Sequence, residues 1–584
     1  MAKETGGDDK LAIEQVRRHA DLMSKYRSVF ADDHQTIAQY ALPNDSDINV
    51  TKTESVSGWT DQIFDTTMIQ AAQTLANGQF NWWTPPNQPW AEYDVPEKLK
   101  DDDQEGSEDA VSYFGKASDK MMRQLGRSNF YPVKGMGDLG LSVFATDLII
   151  FDESTSGNEL FNFVHCKIGT YTIEEDYRGV VDTVRREMEM TYRQMKQVFN
   201  KPGDNIPKKI TDQCKGAGAD GKKFKVLHCI FPREDSKRIP NRKDGANKPI
   251  ASIYISVEAN ECIRIAGYEE SPILCRRFAK WGTDAVWGYG PSYLALPDAR
   301  QVNYVQQYLD ALAELHAYPR VLIPDNLEGD VDLRAGGTTT WDTSNAEGKP
   351  EEWATVGDYK LGLEMQEGRR KAIRDAFFTD AFKLLNSQPL IDKEMTAYEI
   401  SQRQAEQLQG VAPAFARGLP EFILPLMRRG FGIMFRRGEL GQPPDILMQE
   451  VSHGKKGLVM PEVVVTSRFN DALRALKNRG TEETFKFLAP MAEQKPELYD
   501  IFDLDQTVRE YARNAGMAPD LIRKETGPNS VQAIRAARAA MQKQQMAAQQ
   551  AETLGKAGKA LGGSPQWMQD QVQERLAGGR RRAA

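Results

Sequence analysis

The stretch W-G-T-D-A-V-W-G-Y-G-P-S-Y (Trp281–Tyr293), with the helical pattern that follows it, decides the fold of this 584-residue chain. After this aromatic, Gly-rich turn, apolar residues recur at steps of three and four and predict one amphipathic helix. The stripe consists of Val302, Val305, Leu309, Leu312 and Leu315. Pro297-Asp298 marks the expected start of the helix, and Pro319 marks its end.

A second amphipathic helix follows after an insert of a different character. Ile373, Phe377, Ala381 and Leu384 share one face of it, and basic residues cover the rest. The insert, residues 320–363, holds V-L-I-P-D-N, G-G-T-T-T-W and E-E-W-A-T-V, which are short β-type runs bounded by turn residues. Two helices that bracket a small extended insert suggest a mechanical or assembly function rather than catalysis.

The rest of the chain divides by composition into a helical, a β-rich and a second helical part. Residues 1 to about 150 show helical periodicity in 11–30, 60–78 and 108–125, and 141–151 begins helical and ends as an apolar run. Residues 145 to about 275 predict strands near 161–168, 171–173, 181–184, 224–231 and 250–257, with one helix near 191–199. Residues from 396 onward are expected to be helical.

The C-terminal part is basic and rich in Ala and Gln. Residues 531–584 carry nine Lys or Arg and three Asp or Glu, a local charge of 9 − 3 = +6. Val531–Ala551 favours a helix by propensity, although its apolar stripe is thin. The alternatives are an ordered helical extension and a frayed terminus with incidental charge.

Chemical motifs are scarce. Gly216–Lys223 resembles a phosphate-binding loop, but Lys223 stands where a Ser or Thr hydroxyl must reach magnesium, and a strand is expected where a helix should follow. His165-Cys166 and His228-Cys229 supply zinc-type ligands, yet adjacent residues of a strand point to opposite faces. We therefore expect no catalytic residues, no cofactor and no metal.

Composition excludes several protein classes. The five cysteines are spread singly, which favours free thiols in a reducing cytoplasm. No apolar run approaches the ~18 residues of a membrane span, and the first residues lack a secretory pattern. The tryptophans of N-W-W-T-P-P-N-Q-P-W (Asn81–Trp90) have no interleaved basic residues, so packing at a subunit or domain contact is favoured over base stacking.

Several segments, in order, resemble one family. They are 72–90 (A-Q-T-L-A-N-G-Q-F-N-W-W-T-P-P-N-Q-P-W), 288–303 (G-Y-G-P-S-Y-L-A-L-P-D-A-R-Q-V-N), 318–326 (Y-P-R-V-L-I-P-D-N), 369–382 (R-R-K-A-I-R-D-A-F-F-T-D-A-F), 396–406 (T-A-Y-E-I-S-Q-R-Q-A-E), 419–431 (L-P-E-F-I-L-P-L-M-R-R-G-F) and 465–475 (V-T-S-R-F-N-D-A-L-R-A). The chain resembles the head-to-tail connector, or portal, proteins of short-tailed bacteriophages over most of residues 10–530.

The resemblance implies a mixed α+β, mainly helical subunit with named parts. Residues 1–290 would form an α/β wing, 291–318 the first stem helix, 319–365 a small β-containing clip and 366–385 the second stem helix. Residues 386–395 would be a channel loop, 396–530 a helical body and crown, and 531–584 a basic barrel or tail.

It also implies functional surfaces. Lys383 and Lys393 are candidate contacts to DNA in the channel, and Trp341 and Trp353 are candidate clip interface anchors, with clip core as the alternative. Leu309, Leu312, Phe377 and Leu384 are candidate stem packing residues. The candidate basic tail comprises Arg535, Arg538, Arg580, Arg581 and Arg582.

The implied function is a ring, with twelve copies in the family, at one capsid vertex of the virion. DNA would pass through it during packaging and ejection. The expected partners are other copies, double-stranded DNA, a terminase motor that hydrolyses ATP, tail adaptor proteins, and capsid and scaffold proteins; no membrane is involved. The net charge of −8 fits a channel that does not hold DNA, although it also fits an ordinary soluble surface. The alternatives are a nucleotide-dependent enzyme that uses Gly216–Lys222 and another phage assembly or scaffold protein.

Overall fold

The computed structural model describes residues 5–45, 47–48, 63–96, 99, 107–154, 159–214, 221–234, 238, 244–282, 285–318, 320–323, 325, 331–332, 334, 337–340, 351–352, 359–380, 382, 416–452, 455–465, 478, 480–482, 484–490, 502–514, 517 and 531–561. The chain forms two compact units, Met1–Ala472 and Leu473–Ala584. The fold class is mixed α+β and mainly helical, as the sequence predicts. No helix within the described ranges has both the length and the hydropathy needed to cross a membrane.

The first part of the chain is helical, and its apolar spacing explains why. Its helices are α1 (Thr5–Val29), α2 (Ala31–Ala41), α3 (Thr67–Trp83), α4 (Ser107–Arg127) and α5 (Phe130–Phe144), with the short strand β1 (Ala91–Asp94) after α3. On α4, residues Phe114, Ala117, Met121 and Leu125 are completely buried, which is the one-sided stripe of an amphipathic helix. The sequence analysis missed α5, because only its end falls within the apolar run 141–151.

The aromatic segment after α3 packs within the chain. Trp90 is fully buried and stacks on Phe130 of α5 with ring centroids 6.1 Å apart, and Trp82 is also buried. The core cluster of Trp90 also holds Phe422 and Leu426 of the later helical part, so this burial agrees with the prediction of packing at a domain contact rather than base stacking. The large apolar area of the two tryptophans is removed from water inside one protomer.

Two antiparallel sheets form the β-rich part, as predicted. The strands are β2 (Thr146–Glu153), β3 (Phe161–Cys166), β4 (Tyr171–Glu175), β5 (Val181–Thr191), β6 (Lys223–Pro232), β7 (Ile250–Ser256), β8 (Glu261–Tyr268) and β9 (Ile273–Arg277). One sheet has the order β3-β2-β9 and the other the order β4-β5-β6-β7-β8. Strands β2, β8 and β9 were not predicted as strands, although the end of the apolar run 141–151 falls within β2. The predicted helix near 191–199 is α6 (Tyr192–Val198), which begins at a Thr191 capping box; α7 (Lys208–Gln213) follows.

The sheets are covered by the N-terminal helices. Ala12 of α1 packs with Leu227 and Ile253 on the five-stranded sheet. At the edge of this contact, Nε of Arg185 donates to Oε1 of Gln15 over 2.8 Å. The three-stranded sheet packs against α5, and its central strand β2 is buried along most of its length.

The two-helix unit consists of α8 (Pro291–Ala317) and α9 (Tyr359–Ala376), preceded by the short strands β10 (Ala279–Lys280) and β11 (Gly288–Tyr289). The start that Pro297-Asp298 predicts for α8 is wrong by almost two turns, because Gly290 is the N-cap and Pro297 lies inside the helix. Burial of Ala295, Leu296 and Ala299 offsets the hydrogen bond that Pro297 cannot donate. The helix ends before Pro319, as predicted.

Helix α9 begins and ends earlier than the sequence predicts. It stops at Ala376 because Phe378 has a left-handed backbone, with φ of 54°. Such a conformation costs roughly 1–2 kcal/mol for a residue with a side chain. Complete burial of the neighbouring Phe377 ring contributes roughly 1.5–3 kcal/mol, which offsets this strain. Between α8 and α9, β12 (Val321–Leu322) pairs with β13 (Glu351–Glu352) in the insert.

The segment after residue 415 combines helices with strands. A π-helical turn, Leu419–Ile423, leads into α10 (Leu424–Arg436). The strands β14 (Met448–Ser452), β15 (Lys455–Leu458) and β16 (Glu462–Val465) lie where the sequence analysis expects helices, and β16 pairs with β1. This expectation overlooks the β-branched run V-V-V (Val463–Val465) after Pro461.

The second unit is described mainly by two helices, α11 (Leu504–Asn514) and α12 (Val531–Leu561). Helix α12 begins where the sequence predicts and continues ten residues further. Its residues 535–549 are exposed to solvent, consistent with its thin apolar stripe.

Candidate functional site

The helices α8 and α9 pack as an antiparallel pair. Leu309 of α8 lies against Gly362 of α9, where an added Cβ would stand 2.8 Å from the leucine Cδ2. Closer to the body, Nη1 of Arg369 donates to Oδ1 of Asp298 over 2.9 Å. Of the candidate stem packing residues, Leu309 and Phe377 are buried and Leu312 is half-buried, whereas Leu384 lies outside the described residues.

The base of α8 is fixed by a histidine between two tyrosines. The hydroxyl of Tyr26 lies 2.7 Å from Nδ1 of His34, and the hydroxyl of Tyr293 lies 2.6 Å from Nε2. Burial lowers the pKa of His34 to about 3, so the imidazole is neutral, and one ring nitrogen donates while the other accepts. The arrangement ties the first turn of α8 to α1 and α2.

Helix α3 holds both ends of the segment 383–415, which contains the candidate channel loop. The ring of Phe382 covers Gly78 so closely that an added Cβ would lie 2.3 Å from it. Gly418, on the returning chain, contacts the indole of Trp83 in the same way, at 3.0 Å. The described residues that flank this segment therefore lie against one helix, about one and a half turns apart.

A buried ionic network lies next to the contact between Gly418 and α3, across a small cavity. Nζ of Lys134 lies 2.5 Å from the carboxylate of Asp138, and Arg276 binds both Asp138 and Asp147. Asp147 also contacts Nε2 of the partly exposed His165 over 3.1 Å. Burial, assisted by Arg276, lowers the pKa of Lys134 to about 8 although Asp138 opposes the shift.

The carboxylate of Asp147 is held in its charged form. Burial alone would raise its pKa, but Arg276 and His165 outweigh that effect and lower the pKa to about 2. The adjoining cavity, lined by Gln79, Lys134 and Arg277 among others, measures about 20 Å³. That volume suits a water-sized group rather than a substrate.

The zinc-type and phosphate-loop motifs of the sequence lie in the β-rich part. His165 faces Asp147, whereas Cys166 lies against Arg186, so the adjacent pair does point to opposite sides of β3. Residues 216–220 lie outside the described ranges, and strand β6 begins at Lys223, as expected. Among the described residues, no three His, Cys, Asp or Glu side chains converge as metal ligands would.

Two of the remaining candidate residues, Arg535 and Arg538, belong to the described part of the chain. Lys383, Lys393, Trp341, Trp353, Arg580, Arg581 and Arg582 lie outside the described residues. Arg535 and Arg538 lie on the exposed part of α12, and Nη1 of Arg535 lies 2.5 Å from Oδ2 of Asp505 on α11.

The sequence carries a signal for two features that were not predicted from it. The i,i+4 spacing of Lys134 and Asp138 is compatible with an ion pair on a helix, but α5 itself was not predicted. Gly78 stands inside a helical pattern, where a glycine costs roughly 1 kcal/mol relative to Ala and therefore suggests a close contact.

Comparison with known proteins adds an independent line of evidence. The model of the family described as bacteriophage head to tail connecting protein matches residues 14–522. The portal protein of Salmonella phage epsilon15 is 27% identical over 505 residues, which cover 84% of this chain and 86% of that protein. The probable portal protein of Bordetella phage BPP-1 is 28% identical over 532 residues, 89% of each chain.

Proposed function

Because this chain belongs to the family of bacteriophage head-to-tail connecting proteins, we propose that identical copies of it close into a ring of twelve at one capsid vertex. The chain functions as a portal subunit, through which the phage genome is packaged and ejected. The observation that carries this conclusion is the family match over residues 14–522, which includes the whole two-helix unit.

The described architecture is compatible with the expected parts. The antiparallel pair α8–α9 supports a stem, the β12–β13 pair within its insert supports a clip, and the α/β body before it supports a wing. Trp341 and Trp353 would anchor the clip to neighbouring copies or to tail and motor proteins, since exposed aromatics are efficient interface residues. Leu309, Leu312, Phe377 and Leu384 would stabilise the stem.

The channel would be lined by the loop that contains Lys393, with Lys383 beside it. Attachment of both ends of segment 383–415 to α3 supports this proposal, because a loop that contacts passing DNA needs a fixed base. Arg535 and Arg538, with Arg580, Arg581 and Arg582, would contact packaged DNA. Their attraction to phosphates would be electrostatic and sensitive to salt.

The partners would be double-stranded DNA, a terminase motor, tail adaptor proteins, and capsid and scaffold proteins; synthesis in the host cytoplasm would precede assembly into the virion. The family is one of structural assembly proteins. ATP hydrolysis would therefore belong to the motor, and the alternative of an enzyme that uses Gly216–Lys222 is not favoured.

Native mass measurement of the purified full-length chain, with electron microscopy of the same sample, tests the ring. We expect closed rings of one dominant stoichiometry, with a central channel. A stable monomer at micromolar concentration under assembly conditions would refute the proposal.

A further inference from the structure

The side of α8 that faces away from α9 carries an aromatic ridge that, within the described part of the chain, packs against no other element. Tyr304 and Tyr308 are 56% and 58% exposed, their rings stand 4.6 Å apart, and their hydroxyls are 2.7 Å apart. At 100° per residue, both lie roughly 120–160° around the helix from Val302, which is buried toward the body. Two tyrosines that share a hydrogen bond form a rigid apolar ridge, which is the type of surface that anchors interfaces.

The outer side of α9 carries a notch of the opposite shape. Gly368 and Ala372 are exposed one turn apart, and no atom of the described residues lies within 4 Å of the place where a Cβ on Gly368 would stand. They face away from Gln366 and Ile373, which are buried on the inner side of α9. The two-helix unit therefore has a ridge on one side and a notch on the other.

The ridge and the notch are level with each other along the unit. Gln366 of α9 donates to Gln306 of α8, which fixes the antiparallel register of the two helices. Tyr304 stands two residues before Gln306, and Gly368 stands two residues after Gln366, so the two lie at the same height. A closed ring relates its copies by rotation without translation along the axis, so residues of equal height meet across the interface when the helix pair stands along that axis, as the proposed pairing requires.

The charges of the two helices are also complementary. Helix α8 carries three acidic side chains and one basic side chain, whereas α9 carries five basic and three acidic ones. At the level of exposed Arg300 on α8, α9 presents exposed Lys371 and, about one turn on, exposed Asp375, so the complementarity lies in the net charges of the two helices. Net charges of opposite sign favour head-to-tail packing of α8 of one copy on α9 of the next.

We propose that the Tyr304–Tyr308 ridge of each copy packs into the Gly368 notch on α9 of the adjacent copy. The pairing rests on the proposed ring and specifies which surfaces close it. The occupant is a second copy of this chain, because the ridge and the notch stand at one height on opposite sides of a single unit, and the two helices carry net charges of opposite sign.

Cysteine cross-linking tests the pairing directly. In rings of the double variant Tyr304→Cys, Gly368→Cys, mild oxidation should give a ladder of covalent multimers that reducing agent abolishes. The two positions of one copy lie on opposite sides of two helices, beyond the ~7 Å Cα separation that a disulfide spans, so each cross-link joins two copies. The single variants, tested in parallel, should give no ladder.

A control of unequal height uses Tyr304→Cys with Lys360→Cys, also on the outer side of α9 but about 12 Å further along it. We expect no ladder from this pair. A ladder from the control and none from the test pair would overturn the proposed register.

A second variant fills the notch. Gly368→Trp should reduce ring yield at least tenfold while the subunit keeps its far-ultraviolet circular dichroism, because the site is open to solvent. Gly126→Trp, at another helical glycine with open space around it, should leave rings intact.

The outcomes separate this pairing from the proposed function. Rings that form normally, tolerate Gly368→Trp and give no cross-link would refute the pairing and leave the ring itself standing. Failure of the unmodified chain to form rings would refute both.

Discussion

Replacement of Phe377 by alanine tests whether the end of α9 belongs to the core of the body. The aromatic side chain of Phe377 is fully buried in the cluster that also contains residues of α2, α3 and α5. A buried Phe→Ala change costs roughly 3–5 kcal/mol, because transfer energy is lost and a cavity is left. The first unit spans 472 residues. At roughly 2.1 cal/mol/K of unfolding entropy per residue, its unfolding entropy is about 1 kcal/mol/K, so we expect Tm to fall by about 3–5 °C.

The assay is differential scanning calorimetry of the purified ring, with ring yield measured on the same preparation. Phe64→Ala is the matched control, because Phe64 belongs to the same unit and is 40% exposed; its Tm should change by less than about 1 °C. We also expect fewer rings from Phe377→Ala, since the base of α9 is displaced. An unchanged Tm and an unchanged ring yield would show that Phe377 does not hold α9 to the body.

Three further predictions address charge, nucleotide and the tail. The folded pKa of Asp147, about 2, lies below its ordinary value, so its charge stabilises the fold above about pH 4, and this stability is lost as the pH falls toward 2. The free energy of unfolding, measured by urea denaturation at a series of pH values, should therefore fall on acidification by about 2 kcal/mol less for Asp147→Asn than for the unmodified chain. An equal fall for both chains would contradict the ion pair. The purified chain should show no ATPase activity, and Lys222→Ala should leave DNA packaging unchanged; ATPase activity abolished by this substitution would reverse the assignment. Removal of residues 552–584 should leave ring yield near normal but alter the DNA content of assembled heads in a salt-dependent way, because Lys556, Lys559 and Arg580–Arg582 are lost. Complete loss of rings would make the tail an assembly element.

The local sequence pattern was sufficient to predict an element where one of its faces is buried and the other is exposed to solvent. The stripe that includes Val302 and Leu309 predicted α8, and the β-branched runs near 224–231 and 250–257 predicted β6 and β7. The C-terminal helix was predicted from propensity, since few contacts compete with it. Motif order along the chain gave the family, which the match over residues 14–522 confirms.

Long-range contacts decided what local pattern did not. Helix α5 contains Gly135, Gly137 and Gly140, and glycines at this density argue against a continuous helix when only the sequence is considered. In the structure a Cβ on Gly137 would stand 2.6 Å from the carboxylate of Asp147, so this glycine makes room for the buried ionic network.

The end of α9 shows the same effect. Its periodicity continues to Leu384, but the helix stops at Ala376, where burial of Phe377 outweighs the strain at Phe378. The amino-acid sequence by itself determined the two long helices with the insert between them, the β-rich part before them and the family. The tertiary structure decided where helices stop, which glycines admit a neighbour and which faces of the two-helix unit stay exposed, because these depend on residues that are distant in sequence and adjacent only in the folded chain.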